Sequence, residues 1–173
     1  GLLGLNKPAG TAVHGPGSLE DAVLAHLSGA SETSLSFRPG PLHRLDQPTS
    51  GLIFFSTNLR GAQAFSRALR ERRLGKRYFA VLEGLLEREE IWEDQLVRDR
   101  RAGRTEVLGA AAQAGEAAPG GAKALRAGTS VRPLAAAKGF TLALVELGTG
   151  RTHQIRAQAA AHGHALAGDR KYG

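Results

Sequence analysis

The stretch that decides the fold spans residues 43–52 and reads HRLDQPTSGL. It places the side chains of His43, Arg44 and Asp46 in a loop that leads into the apolar run of residues 51–56. A run of that length is typical of a buried strand, and charged side chains at the end of a strand are typical of a functional site. Taken alone, the same residues are better explained by an ordinary surface ion pair between Arg44 and Asp46 and a turn at Thr49 and Ser50. The loop therefore needs support from elsewhere in the chain.

A second dense group of polar side chains lies in residues 150–156, which read GRTHQIR. Arg151 stands at the predicted entrance of a helix, and Arg156 follows five residues later. Guanidinium groups beside the N-terminus of a helix suit a carboxylate or a phosphate. An ordinary basic helix end is the alternative interpretation. Two such segments in one small chain favour a functional site over two unrelated surface features.

The length and charge of the chain limit its organisation and its partners. It has 173 residues, of which 42% are hydrophobic, and this is enough to bury the core of one domain. Its 23 Lys and Arg residues exceed its 16 Asp and Glu residues, which gives a net charge of +7. Such a charge favours a polyanionic partner, RNA or DNA, but does not by itself identify one.

The composition also excludes several kinds of chemistry. Without cysteine, the chain has no disulfide, no thiolate nucleophile and no Cys-ligated metal. The six His residues lack the spacing of a metal site, and no glycine-rich phosphate loop is present, so we expect neither a metal nor another cofactor. The chain has no uncharged apolar run of about 18 residues and no basic-then-apolar leader. We therefore expect no membrane partner and a cytoplasmic location.

Apolar periodicity and capping residues predict interleaved strands and helices. The first strand covers residues 2–6, and two helices begin after the caps Ser18 and Asn58. The other expected features are a helix end near Gly29, a loop at residues 30–42, strands at residues 51–56, 76–82 and 140–147, a loop at residues 109–121 and a helix at about residues 152–162. Without regular βαβ spacing, these elements predict an α+β fold with a mixed or antiparallel sheet.

The same residues resemble the motifs of a known family. Residues 43–52 closely resemble the HRLDxxTSGL signature of the RluA-type pseudouridine synthases, which isomerise uridine in ribosomal and transfer RNA. Residues 6–10 resemble the NKPxG opening of that family, residues 76–78 its KxY strand, and residues 150–156 its GRTHQIR helix. The closing GHPxxGDxxYG segment is matched by His164, Gly168, Asp169, Tyr172 and Gly173, with Ala165 in place of the usual proline.

The resemblance implies a single catalytic domain over residues 1–173, truncated at both ends, with a mixed, largely antiparallel sheet, flanking helices and a central active-site cleft. It makes Asp46 the nucleophile that attacks the target uridine, so that the base detaches, rotates and rejoins the ribose through carbon. Attack on the ribose and attack on the base ring both require an ionised carboxylate. The resemblance assigns the neighbouring cation to Arg156. Tyr78 matches the active-site tyrosine, which stacks on the uracil and takes the C5 proton.

The resemblance also implies contacts with RNA. Arg44 matches the residue that enters the RNA helix where the base is extruded. Leu52 and Ile155 would wall the base pocket, whereas His43 and His153 are assigned structural roles. Further RNA contacts are expected from Arg151, Lys76, Arg77 and the basic stretches at residues 67–77 and 98–104.

The expected partner is ribosomal or transfer RNA, and a monomer is the default expectation. The alternative, from another functional class, is a non-catalytic RNA-binding or RNA-folding protein on the same scaffold. The two differ in what they require of Asp46. In the alternative, Asp46→Asn leaves RNA binding and biological function unchanged.

Overall fold

The computed structural model describes residues 1–28, 37–108 and 122–173. In chain order, the elements within these ranges are β1 (Leu2–Lys7), α1 (Leu19–Ser28), β2 (Gly40–Pro41), β3 (Gly51–Ser56), α2 (Leu59–Arg70), β4 (Arg77–Glu83), β5 (Glu90–Asp99), β6 (Arg104–Val107), β7 (Leu125–Ala137), β8 (Phe140–Leu147) and α3 (Gln154–Ala161). The chain divides into two compact units, Gly1–Leu74 and Gly75–Gly173. The predicted helix end near Gly29 and the predicted loop at residues 109–121 lie outside the described residues.

The first unit is built on a three-stranded antiparallel sheet in the order β1-β3-β2. β3 is the central strand and pairs along its full length with β1. Its apolar sequence buries Ile53 and Phe55 completely, which confirms the predicted buried strand. Gly40 and Pro41 pair with the other side of β3, so that part of the predicted loop at residues 30–42 forms a short edge strand.

Both helices of the first unit begin after the capping side chains that the sequence predicts. At the start of α1, Ser18 Oγ accepts the N–H of Asp21 (3.4 Å). At the start of α2, Asn58 Oδ1 accepts the N–H of Gly61 (2.9 Å). α2 buries Phe65 and leaves its arginines exposed. It is therefore the amphipathic basic helix that the apolar spacing predicts.

The second unit contains a five-stranded antiparallel sheet in the order β4-β8-β7-β5-β6. One face of this sheet buries a core that includes Leu82, Trp92, Val131 and Val145. Ala159 of α3 belongs to the same core, so that α3 packs on this face of the sheet. The packing places the helix that carries Arg156 against β6 and β5, at one side of the sheet.

The sequence patterns predict β4 and β8 but miss β5, β6 and β7. On β5, the core-facing position after Trp92 is occupied by Asp94, which is buried although it is charged. It is accommodated because Gln158 Nε2 donates to its Oδ2 (2.7 Å) and His162 Nε2 lies 3.0 Å from the same oxygen. On β7, the register shifts after Pro133, which has no N–H to donate. Asp94 and Pro133 interrupt the apolar alternation by which a strand is predicted from the sequence.

The described elements confirm an α+β fold with antiparallel sheets and flanking helices. The strands lie in two sheets, one in each unit, and every described strand pair is antiparallel. The single catalytic domain and the central cleft stay predictions. No helix within the described ranges is long and apolar enough to cross a membrane.

Candidate active site

The turn that carries Asp46 lies directly before β3 in the first unit. The N–H of Thr49 donates to the carbonyl oxygen of Asp46 (3.0 Å) and closes the turn. Gly51 begins β3 with a φ of +130°, a backbone conformation that other residues rarely adopt. The Asp46 residue is half-buried. The turn and the glycine together fix the direction in which the carboxylate leaves the backbone.

Lys7, the last residue of β1, ties this turn to the loop that follows β1. Its side chain is completely buried. Its Nζ donates to the carbonyl oxygens of Pro8 (2.9 Å), Thr11 (2.8 Å) and Gln47 (3.1 Å). Three acceptors match the three N–H donors of a protonated lysine. Because Gln47 directly follows Asp46, Lys7 fixes the backbone beside the predicted nucleophile.

A pair of hydrogen bonds between Gly10 and Gln47 strengthens this connection. The N–H of Gly10 donates to the carbonyl oxygen of Gln47 (2.8 Å), and Gln47 Nε2 donates to the carbonyl oxygen of Gly10 (2.9 Å).

Burial lowers the pKa of Lys7 below 10.5, while the negative charge of Asp46 acts in the opposite direction. The NKPxG motif, for which the sequence suggested no role, therefore supports the Asp46 turn. A lysine directly before a proline at the end of β1, where it is the only buried residue of the strand, is the signal that indicates it.

The other predicted residues of the HRLDQPTSGL motif have different surroundings. His43 makes the backbone hydrogen bond that its predicted structural role requires: its Nε2 accepts the N–H of Phe54 (3.1 Å), and its ring stacks on Phe65 with 5.9 Å between centroids. Arg44 is exposed, and Leu52 is 64% exposed. Both side chains are accessible from solvent. Their roles in RNA binding and in the base pocket stay predictions.

In the second unit, Tyr78 and Ile155 lie at the border of the core. Tyr78 is on β4, opposite Val145 of β8. Tyr78 and Ile155 are both partly buried and pack against the same core cluster. The structure therefore brings these two predicted site residues to the same core cluster.

The predicted RNA-binding cations of the second unit also interact with the protein itself. Lys76 Nζ donates to the carbonyl oxygen of Thr149 (3.0 Å). Burial, and then the positive charge of Arg151, lowers the pKa of Lys76 below 10.5. Arg77 Nε donates to Glu146 (2.7 Å) on the surface. Arg77 and Arg151 are exposed, and the RNA contacts of all three cations stay predictions.

Arg156 makes a two-point ion pair with Asp169. Its Nε donates to Oδ2 (2.7 Å) and its Nη2 to Oδ1 (2.8 Å), with the two side chains 15% and 5% exposed. The hydrogen bonds from Arg156 are the main cause that lowers the pKa of Asp169 below 3.8, and burial acts in the opposite direction. The Cζ of Arg156 also lies 5.1 Å from the ring centroid of Tyr172. The pairing of Arg156 with Asp46 that the resemblance implies stays a prediction.

Sequence reasoning assigned no role to Asp169 and Tyr172 beyond their match to the closing motif. Their contacts with Arg156 explain why this motif accompanies the GRTHQIR helix. The GDxxYG pattern is the only sequence signal for them, because no local periodicity connects residues in α3 with a loop that follows it. Asp169 and Tyr172 are additional candidate site residues.

The predicted site residues are distributed over both units. Asp46, Arg44 and Leu52 belong to the first unit, and the others belong to the second. In residues 1–28, 37–108 and 122–173, no group of three or more His, Asp or Glu side chains is arranged to hold a metal ion. The first unit thus offers a carboxylate on a held turn, and the second a guanidinium held by Asp169.

The Arg156–Asp169 pair is expected to make folding stability depend on acidic pH. The folded-state pKa of Asp169 is lowered from 3.8, so its contribution is fully present above that value and is lost as the pH falls through the folded-state pKa. We expect wild type to be more stable than Asp169→Asn near neutral pH and the difference to shrink below about pH 4. Urea unfolding of both proteins from neutral pH to about pH 2 measures this. A difference that stays constant over this range would contradict the assignment.

Comparison with known proteins identifies the family. The model of the RNA pseudouridylate synthase family matches residues 1–161. The chain belongs to this family, which confirms the resemblance to the RluA-type synthases.

Three relatives illustrate the range of similar proteins. Ribosomal large subunit pseudouridine synthase D of Nitrosomonas europaea is 34% identical over 174 residues, which cover 99% of this chain and 47% of the relative. An uncharacterized RNA pseudouridine synthase of Bacillus subtilis, YlyB, is 32% identical over 178 residues, with coverage of 99% and 55%. The tRNA pseudouridine synthase C of Haemophilus ducreyi is 30% identical over 174 residues, with coverage of 99% and 70%. The chain spans about half the length of the first two.

Two solved human structures share the fold. Human RNA Pseudouridylate Synthase Domain Containing 1 superposes with a TM-score of 0.76 at 24% identity, covering 99% of this chain and 66% of that one. Human RNA Pseudouridylate Synthase Domain Containing 4 gives a TM-score of 0.77 at 22% identity, with coverage of 99% and 65%. At this level of identity, these two structures establish the fold alone.

Proposed function

We propose that the protein isomerises uridine to pseudouridine in RNA, with the Asp46 carboxylate as the nucleophile. The observation that carries this proposal is the turn that holds Asp46, because Lys7 and Gln47 anchor it to the loop after β1 in a chain of this family. A nucleophile needs a fixed direction of attack as well as its charge. The closed turn supports a fixed direction of attack, and the carboxylate itself can supply the charge.

The proposed reaction exchanges one bond for another within the same nucleotide. The bond between C1′ of the ribose and N1 of uracil breaks, and a bond between C1′ and C5 forms. The proton on C5 leaves and N1 gains a proton, so that the product has the same composition as uridine. Asp46 forms a transient covalent bond to the ribose or to the base ring, and this bond breaks before the product is released. The exchange requires no oxidant, reductant or cofactor.

The remaining predicted residues have proposed roles around this nucleophile. Arg156 keeps the Asp46 carboxylate ionised, and Tyr78 stacks on the extruded uracil and takes the C5 proton. Leu52 and Ile155 wall the base. Tyr78 and Ile155 share one core border, and this supports a common role in base binding.

The proposed substrate is a structured RNA with an accessible uridine. Extrusion of a base costs a few kcal/mol, and Arg44 would offset part of this cost by entering the space that the base leaves. The other contacts to phosphate are proposed for Lys76, Arg77 and Arg151 and for the exposed arginines of α2. Relatives named for the ribosomal large subunit and for tRNA are similar to this chain, so both RNA classes are proposed substrates. We propose that the enzyme acts as a monomer in the cytoplasm.

Release of tritium from RNA labelled at C5 of uridine tests the proposed function. Because the C5 proton leaves in every turnover, we expect time-dependent release from ribosomal RNA or from transfer RNA, each assayed separately. The class that responds identifies the substrate. A folded protein that binds both RNAs and releases no tritium would contradict the proposal and would support the non-catalytic RNA-binding alternative.

A further inference from the structure

The contacts of Asp169 constrain the Arg156 guanidinium in two directions. Two N–H groups of one planar guanidinium donate to two oxygens of one carboxylate, and this fixes both the plane and the rotation of the guanidinium. Oδ1 of Asp169 also accepts the N–H groups of Lys171 (3.0 Å) and Tyr172 (3.3 Å). The carboxylate is therefore itself held by the backbone of the loop that follows α3. A guanidinium paired in this way has little freedom to rotate.

The ring of Tyr172 provides a second constraint on Arg156. The ring centroid lies 5.1 Å from Cζ of Arg156, within the range of a cation–π contact. The hydroxyl of Tyr172 accepts the N–H of Thr105 on β6 (2.7 Å) and lies 2.8 Å from Nδ1 of His153. His153 directly precedes α3, the helix that carries Arg156. The ring is thus anchored to β6 and to the start of α3 at the same time.

Stability alone does not account for the contacts of Arg156 with Asp169 and Tyr172. A largely buried ion pair loses hydration on both partners, and its net contribution to stability is small. Its geometric effect is large, because a cation that acts on a reacting carboxylate must be held within a fraction of an ångström. Asp169 occupies the edge of the guanidinium formed by Nε and Nη2.

We propose that Asp169 and Tyr172 are positioning residues for Arg156 in uridine isomerisation. The inference rests on the proposed function and extends it to two residues that do not touch the substrate. Asp169 sets the plane of the guanidinium, and Tyr172 prevents the side chain from leaving that plane. Both act on the reaction only through Arg156.

A double-mutant cycle tests this relation. Asp169→Asn keeps the shape of the side chain but removes its charge, and Tyr172→Leu removes the aromatic ring. At saturating RNA we expect each variant to lower the single-turnover rate of tritium release by about 10- to 100-fold, with the Kd for RNA changed less than about twofold. Glu93→Gln is the matched control, because it removes a similarly short ion pair, to Arg126 (2.8 Å), and is expected to keep the wild-type rate.

The decisive comparison places Asp169→Asn and Arg156→Ala in one protein. If Asp169 acts through Arg156, the double variant is no slower than Arg156→Ala alone, whereas independent structural damage would add a further loss. An additive loss would overturn the proposal, as would a folded Asp169→Asn or Tyr172→Leu variant with a rate within about twofold of wild type. If Asp169→Asn does not fold, the same cycle is measured with Tyr172→Leu in its place, and its result decides whether the proposal holds. Absence of tritium release from wild type would instead refute the proposed function itself.

Discussion

Asp46→Asn is expected to abolish pseudouridine formation, with a loss in rate of at least about 10³-fold, while the protein stays folded and binds RNA. Asparagine has the size and shape of aspartate, and the turn that Lys7 and Thr49 hold uses backbone carbonyl and N–H groups that the substitution leaves in place. The neutral amide cannot form the covalent bond to uridine. Single-turnover tritium release measures the rate, and filter binding measures the Kd for RNA.

Asp21→Asn is the matched control for this variant. It removes one carboxylate from the same unit and changes the net charge equally, but it lies in α1, away from the Asp46 turn in the chain. We expect both variants to bind RNA slightly more tightly than wild type, because each loses one negative charge. The control should keep the wild-type rate. An Asp46→Asn protein with a rate within about tenfold of wild type would contradict the nucleophile assignment.

Lys7→Met is expected to be the most destabilising single substitution at the candidate site. Methionine has a similar length, but it leaves the carbonyl oxygens of Pro8, Thr11 and Gln47 without their buried donor. These three hydrogen bonds are part-buried and come from a charged donor, and a hydrogen bond to a charged group contributes about 1.5–3 kcal/mol. We therefore expect the free energy of unfolding to fall by at least about 3 kcal/mol. Urea denaturation followed by circular dichroism measures the change.

The same substitution should also impair catalysis in any protein that remains folded. The backbone next to Asp46 loses its connection to the loop after β1, and a carboxylate that moves by about 1 Å costs up to about 10²-fold in rate. Lys123→Met provides the control, since Lys123 is exposed. The free energy of unfolding of this variant should stay within about 0.5 kcal/mol of that of wild type. Equal stability of the Lys7 and Lys123 variants would show that the buried lysine does not support the turn.

The sequence predicts the fold best where local patterns agree with the tertiary structure. β3 is predictable because its apolar run is buried in the middle of a sheet, and α2 because Asn58 caps it and its apolar residues share one face. β5 is not predictable in this way. Asp94 occupies a core position there only because Gln158 and His162, more than 60 residues later in the chain, bond to its carboxylate. No local pattern contains that information.

The same distinction explains the candidate site. Asp46, Tyr78 and Arg156 could be proposed from contiguous motifs, since each motif is conspicuous in the chain itself. The supporting residues could not, because their partners are distant: Lys7 bonds Gln47 across 40 positions, and Asp169 pairs with Arg156 across 13. A motif thus indicates which side chain reacts. The structure is required to show what holds it.

Quantification of pseudouridine tests the central claim most directly. RNA of the class that releases tritium is incubated with wild type or with Asp46→Asn, digested to nucleosides and separated by chromatography. The account predicts that wild type converts uridine to an equal amount of pseudouridine at no more than a few sites per molecule, and that the variant converts none. Tritium release without pseudouridine, or the same yield from both proteins, would contradict it.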